Sequence, residues 1–137
     1  CRACVDACPT DAILEEERQI VASRCISTFT IEMFKDSAKA PEGMDKAAGE
    51  IFGCDICQDV CPWNSRAERV GVASINEEEF LSANKLILDT FLRKSPDEAI
   101  QDLEELSNGA YKRKFAGTPL ERTGRVGMLK NLKFWSR

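Results

Sequence analysis

The sequence predicts an α+β fold, with a cysteine-rich module over residues 1–65 and an all-helical region over residues 66–137. All seven cysteines lie within the first 61 residues, in two runs of similar spacing with one cysteine between them. The second half contains no cysteine, and its apolar residues recur at the three- and four-residue intervals of amphipathic helices. A chain of 137 residues with 43% hydrophobic content can bury one modest core.

Each cysteine run has the same two gaps and ends in proline: Cys1-x2-Cys4-x3-Cys8-Pro9 and Cys54-x2-Cys57-x3-Cys61-Pro62. Bacterial ferredoxins carry C-x2-C-x2-C-x3-C-P, and both runs match its last three cysteines and its proline. The two-residue gap lets one short loop present several thiolates to a 4Fe–4S cluster, and the last cysteine ligates the other cluster. The runs therefore predict a two-cluster ferredoxin-like module. Zinc is the alternative, but zinc sites give no reason for a third cysteine followed by proline.

Two cubane clusters need eight thiolate ligands, and the chain has seven cysteines. We expect the missing ligand three residues upstream of Cys1, in sequence that precedes this chain. The leading position of the second run is occupied by Ile51, so Cys25, in a helical stretch near Ser23–Phe34, is left to complete that site. One predicted ligand set is Cys8, Cys25, Cys54 and Cys57. The other is Cys1, Cys4 and Cys61 with the upstream cysteine.

Cluster spacing, rather than a disulfide framework, indicates a reducing compartment, and we expect the cytoplasm. No apolar stretch approaches the length of a membrane span, and no signal peptide is visible, so no membrane partner is expected. The chain has no histidine, which excludes histidine acid–base catalysis and histidine metal ligands among its residues.

The net charge of −4 hides two segments of opposite sign. Between residues 77 and 105, nine acidic residues face three basic ones. Between residues 109 and 137 a single acidic residue, Glu121, accompanies eight basic ones: Lys112, Arg113, Lys114, Arg122, Arg125, Lys130, Lys133 and Arg137. A basic segment of this density suits a phosphate backbone, while a solvated helix face is the alternative.

Start and stop signals divide the second half into short helices. An apolar stripe predicts a helix over residues 75–94. Ser95 opens the next helix, because proline and a carboxylate follow it in the pattern of a capping box, and Asn108-Gly109 is expected to end it. Thr118 repeats the start signal for a final helix, which Gly124 and a second glycine weaken. We expect antiparallel helical hairpins of the HEAT-like type.

Several stretches resemble the epoxyqueuosine reductase family. The most specific is the string IFGCDICQDVCPWN over residues 51–64. The others are Cys1–Ile13, Arg24-Cys25-Ile26-Ser27 with Thr30-Ile31-Glu32, Phe115–Leu120, Arg122, Gly124-Arg125 and Leu129-Lys130-Asn131. The resemblance covers most of the chain and agrees with Cys25 as a ligand.

The resemblance implies a cobalamin-dependent oxidoreductase with two 4Fe–4S clusters, which reduces the epoxide of epoxyqueuosine to queuosine in the tRNA anticodon. This chain would be its C-terminal, electron-relay part, with tRNA contacts in the basic helices. The family binds cobalamin mainly through a preceding part, so we expect the chain to be inactive alone, and we assign it no catalytic residue. An external donor such as a flavodoxin or ferredoxin, and a monomeric state, are also expected.

Two other functions fit parts of the sequence. The relay portion of a reductive-dehalogenase-like corrinoid reductase would also pair two clusters with cobalamin, but gives no role to a basic end. A plain ferredoxin-type electron carrier would need neither a basic end nor a helical region of this size.

Overall fold

Each cysteine run carries one short α-helix in the computed structural model, which describes residues 1–64 and 76–136. Helix α1, Ala3–Ala7, contains Cys4, and helix α2, Ile56–Asp59, contains Cys57. The two helices pack against each other, although about fifty residues separate them in the chain. The runs that resemble each other in sequence are therefore neighbours in space.

The segment between these helices is built from short elements. They are the antiparallel strands β1 (Ile13–Leu14) and β2 (Gln19–Ile20), 3₁₀ turns over Ala22–Arg24 and Met44–Lys46, and a π-helical turn over Thr28–Glu32. In the hairpin, Ile13 pairs with Ile20 and Leu14 with Gln19. The described β structure amounts to this one hairpin, and the cysteines stand on turns and short helices.

The second half is helical, as the apolar periodicity predicts. It contains α3 (Glu77–Ala83), α4 (Lys85–Ile87), a π-helical turn (Leu88–Leu92), α5 (Pro96–Glu104), α6 (Asn108–Lys114) and α7 (Leu120–Trp135). The backbone of α7 is kinked at Gly124, whose φ of +68° and ψ of 172° are not helical, at a position where the sequence predicts a weak helix. The described chain is thus mostly helical with a small two-stranded sheet. Within the described ranges, no helix is both long enough and apolar enough to cross a membrane.

The start of α5 confirms the predicted capping box. The Ser95 hydroxyl accepts the Glu98 backbone N–H at 3.3 Å, and the Glu98 carboxylate accepts the Ser95 N–H at 2.8 Å. Together they satisfy two donors that the first turn of a helix otherwise leaves free.

Two details of the helix ends were predicted wrongly. Helix α5 ends at Glu104, and Asn108 instead opens α6, because the Ser107 hydroxyl caps the Ala110 N–H at 3.1 Å. The final helix begins where expected, but the Thr118 hydroxyl donates to the Phe115 carbonyl at 2.8 Å and caps nothing. A nearby carbonyl competes successfully for a threonine hydroxyl.

Helix α7 joins two hydrophobic clusters. The larger lies among α5, α6 and α7 and contains Phe91, Ala99, Leu103, Tyr111, Phe115, Leu120, Met128, Leu129 and Leu132. The smaller lies beside the cysteine segments and contains Ile26, Phe29 and Met44, with Phe134 and Trp135 of α7 packed against it. The predicted domain boundary at residues 65 and 66 lies outside the described residues, yet α7 packs on segments from both predicted domains.

The backbone of Gly43 lies against the exit of the first cysteine run. Its φ of +84° is in the left-handed region, and a Cβ placed there would lie 2.3 Å from the Pro9 carbonyl oxygen. Only glycine combines this backbone conformation with such a close approach. The loop around Gly43 therefore supports the Cys8-Pro9 segment.

We expect Gly43→Ala to destabilise the protein by about 2–5 kcal/mol, from left-handed strain together with a backbone clash. Gly117→Ala is the matched control, because Gly117 has φ +74° and an added Cβ would meet no atom within 4 Å. The control should cost roughly 1–2 kcal/mol. Circular dichroism melting of both variants of the full protein measures the difference, and equal losses would contradict the packing role of Gly43.

Candidate metal centre

Four cysteines from three separate segments line one small cavity: Cys8, Cys25, Cys54 and Cys57. Apart from Thr10, the other lining residues are apolar, mainly isoleucines from the hairpin, the Cys25 segment and α2. In the described ranges, no three Cys, His, Asp or Glu side chains are grouped as a single metal ion requires. The four thiols thus surround a space rather than converge on one point. They are the set that ligand counting assigns to one cluster.

The surroundings of the Cys8 thiol favour its ionised form. The Ala12 N–H donates to its Sγ at 3.4 Å, and the Thr10 hydroxyl lies 3.6 Å from the same atom. Burial alone would raise the pKa of Cys8, but these hydrogen bonds, with others from the backbone, outweigh burial and lower the pKa. Since the thiolate is the metal-binding form, this environment favours ligation.

The thiol of Cys54 has the opposite tendency. Burial raises its pKa, opposed by a hydrogen bond from the Ile56 backbone, and the Glu50 carboxylate and the neighbouring Cys25 and Cys57 raise it further. Each of these neighbours carries or can acquire negative charge, which disfavours a further negative charge on the Cys54 sulfur. Positively charged iron reverses that balance and deprotonates its ligands. The donor set therefore fits an iron–sulfur cluster.

Hydrogen bonds hold the Cys25 segment against the Cys54 segment. The Ser27 hydroxyl donates to the Cys54 carbonyl at 3.3 Å, and the Gly53 N–H donates to the Thr30 hydroxyl at 3.0 Å. The buried Thr30 hydroxyl in turn donates to the Ile26 carbonyl at 2.9 Å. These contacts bring Cys25 close to Cys54 and Cys57, which are distant from it in the chain. Cysteine spacing gives no sign of them, since they depend on serine and threonine.

For the second predicted ligand set, the only sign of proximity in the described residues is the packing of the two helices that contain or adjoin its cysteines. Cys4 lies in α1 and Cys61 follows α2, and the two helices pack together. Cys4 and Cys61 are half-buried, and Cys1 is exposed. The packing puts the two runs side by side, and the assignment of these three cysteines to a common cluster stays a prediction.

Several of the C-terminal basic residues are engaged by the protein itself. The Arg125 guanidinium donates to the carbonyls of Leu103 at 2.7 Å and Glu104 at 3.1 Å. Arg122 pairs with Glu32 and Lys133 with Glu104, at 2.6 and 2.8 Å, while Lys130 is buried. The basic segment is therefore not one continuous phosphate-binding surface.

The densest exposed part of the basic segment is the end of α6, while Arg122 and Lys133 are exposed singly, each in an ion pair. Lys112, Arg113 and Lys114 are consecutive and all exposed. Lys112 lies 3.9 Å from Glu121, and the Lys114 ammonium lies 5.6 Å from the centre of the Phe115 ring. Such exposed pairs are weak, so these side chains remain able to meet a phosphate. Arg137, the last of the predicted basic residues, lies outside the described residues.

Comparison with known proteins agrees with this site. Residues 1–64 match the 4Fe-4S double cluster binding domain. The chain is 40% identical to an epoxyqueuosine reductase of Leadbetterella byssophila, over 98% of this chain and 38% of that protein. It is 37% identical to an epoxyqueuosine reductase of Xanthomonas campestris pv. campestris, over 96% of this chain and 32% of that protein. The chain thus spans less than two fifths of these relatives. No solved structure matches it significantly.

Thr10→Val tests the hydrogen bond at the Cys8 sulfur. Hydrogen bonds to sulfur stabilise the reduced cluster, so losing one should lower the reduction potential. A loss of about 1 kcal/mol corresponds to roughly 40 mV for a one-electron couple. Spectroscopic redox titration of the full protein measures the shift, with iron content unchanged. Thr90→Val, at a buried threonine of the helical half, is the control. Equal potentials in Thr10→Val and the wild type would refute the role of this hydroxyl.

Proposed function

Because the chain belongs to the epoxyqueuosine reductase family, we propose that it is the electron-relay portion of an epoxyqueuosine reductase. The whole protein would reduce the epoxide of epoxyqueuosine in tRNA to queuosine. The observation that carries this proposal is the cavity lined by Cys8, Cys25, Cys54 and Cys57. The match of residues 1–64 to a double cluster binding domain supports it. In this proposal residues 1–65 form a ferredoxin-like module and residues 66–137 form HEAT-like hairpins.

The residues of this chain hold and shield the electron carriers. A bound 4Fe–4S cluster passes one electron at a time, at a potential set by its surroundings. Cys8, Cys25, Cys54 and Cys57 would hold one cluster. The apolar lining of their cavity keeps water away from the thiolates, and the donors from Ala12 and Thr10 stabilise negative charge on sulfur. Cys1, Cys4 and Cys61 would supply three ligands of the other cluster.

Epoxide reduction consumes two electrons, so a relay of one-electron carriers must be charged twice for each product. The electrons would come from an external flavodoxin or ferredoxin in the cytoplasm, where cysteine thiols stay reduced. Cobalamin, at which the family reduces its substrate, would be bound mainly by the remainder of the protein, acting as a monomer. In this proposal the residues of this chain supply electrons and contact the substrate.

For the substrate contact, we propose that Lys112, Arg113 and Lys114 bind tRNA phosphates. They are the exposed consecutive cations of the basic segment, whereas Arg125 and Lys130 are engaged with backbone carbonyls. Phosphate contacts position a nucleic acid without reading its sequence, which suits an enzyme that acts on several tRNAs.

Cluster content tests the relay. The anaerobically purified full-length protein should contain about eight iron and eight sulfide per chain, as two 4Fe–4S clusters require. Cys25→Ala and Cys61→Ala should each fall to about four, with different electron paramagnetic resonance signals remaining, since each removes a different cluster. About two zinc and no sulfide in the wild type would overturn the proposal.

Salt-dependent tRNA binding tests the contact. Replacing Lys112, Arg113 and Lys114 by alanine should weaken binding about tenfold or more at low salt and flatten its salt dependence by roughly two to three charges. The matched control replaces three exposed lysines between the two cysteine runs, Lys35, Lys39 and Lys46, and removes the same charge. Filter binding with one tRNA over a salt series gives both slopes. Equal weakening by both triple variants would show a non-specific charge effect and refute this surface.

A further inference from the structure

Asn131 bridges two segments that are distant in the chain. Its side-chain amide nitrogen donates to the carbonyls of Thr30 and Ile51, both at 2.8 Å. Thr30 lies five residues after Cys25, and Ile51 lies three residues before Cys54. One buried side chain of α7 therefore ties together the two segments whose cysteines meet at the cavity.

The orientation of this amide is fixed by its partners. Turning it over would place its oxygen against two carbonyl oxygens, so both N–H groups must point at them. Among the described residues the buried Asn131 Oδ1 atom has no hydrogen-bond partner, which destabilises the fold relative to an apolar side chain of the same shape. Packing alone would thus favour leucine here. What asparagine provides, and leucine cannot, is the bridge.

Lys130 reinforces the same contact from the next position. Its ammonium donates to the carbonyls of Phe29 and Met33, the latter at 2.7 Å, and lies 3.6 Å from the centre of the Phe29 ring. These carbonyls belong to the π-helical turn after Cys25 and to the residue that follows it. Burial lowers the pKa of Lys130 to about 8, so the ammonium still dominates at neutral pH.

Trp135 adds a third donor, one turn further along α7. Its indole N–H donates to the Glu50 carbonyl at 3.2 Å, next to the Ile51 carbonyl that Asn131 binds. The donors of α7 thus reach the backbone on both sides of the junction between the Cys25 and Cys54 segments. Because the acceptors are backbone carbonyls, these donors hold the two segments in place independently of the side chains on those segments.

We propose that Asn131, supported by Lys130, is a positioning residue for the cluster site of Cys8, Cys25, Cys54 and Cys57. It sets the separation of the Cys25 and Cys54 segments, so that the isolated fourth ligand meets the other three. The inference rests on the proposed function, because it assumes that these cysteines bind a cluster. It assigns the final helix a role at the metal centre beyond any contact with tRNA.

Asn131→Leu is the sharpest test, because it removes the bridge and the unpaired oxygen while keeping the number and branching of the side-chain heavy atoms. We expect the full-length variant to fold, with iron and sulfide falling about twofold. The signal lost in electron paramagnetic resonance should be the one that Cys25→Ala loses. Leu132→Ala is the control for general destabilisation, because Leu132 is buried on the same helix in the other hydrophobic cluster. It should lower the melting temperature and leave both signals intact.

Asn131→Ala provides a second measurement, since it removes both donated hydrogen bonds without introducing the bulk of leucine. We expect it to shift the potential or the spectrum of the same cluster, and this result decides the matter if Asn131→Leu fails to fold. Full iron content with unchanged signals in Asn131→Leu, or an unchanged cluster in Asn131→Ala when only that variant folds, would overturn the inference. A wild-type protein without iron and sulfide would instead overturn the proposed function itself.

Discussion

The structure depends on the docking of the Cys25 segment against the Cys54 segment. A cysteine that lies inside a C-x2-C run is placed by its own loop, but Cys25 has no neighbouring cysteine and must be placed by tertiary contacts. The contacts that do so are hydrogen bonds: Ser27 to the Cys54 carbonyl, Gly53 to Thr30, and Asn131 to the carbonyls of both segments. Each is modest alone, at about 1 kcal/mol, but leaving any of these buried groups unpaired would cost more.

A contact held by hydrogen bonds fixes the relative position of two segments more narrowly than a contact held by apolar side chains. Hydrophobic surfaces tolerate small slides, because burial depends on area rather than on direction. Hydrogen bonds lose strength steeply when the donor and acceptor move out of line, so a slid junction would leave Thr30, Asn131 and Lys130 with unpaired buried groups. Four thiolates can bind one cluster only if their relative positions are fixed this narrowly. The buried polar groups here are therefore concentrated where a cysteine without a local motif must be held.

The cysteine pattern could predict which four cysteines lie together, but not the contacts that bring them together. Ligand counting grouped Cys8, Cys25, Cys54 and Cys57, and the same four cysteines line one cavity, while their binding of a cluster stays a prediction. The capping box at Ser95 was local and was confirmed. The Asn108-Gly109 stop was wrong because Ser107 made a competing cap. Lys130 was counted as surface charge, although it lies buried over the Phe29 ring, because a count of charges contains no information on tertiary partners.

Gly127 has one effect on helix propensity and another on packing in the folded chain. In the sequence it weakens the last helix, since glycine lowers helix propensity. In the fold it faces the backbone of Phe34, and a Cβ there would lie 3.7 Å from the Phe34 Cα and 2.6 Å from a methyl of Thr123. The 3.7 Å separation from Phe34 is an ordinary van der Waals contact, so the tight constraint on a larger residue comes from Thr123, four residues earlier in α7. The lower helix propensity is thus offset by the space that glycine leaves for the buried Thr123 side chain.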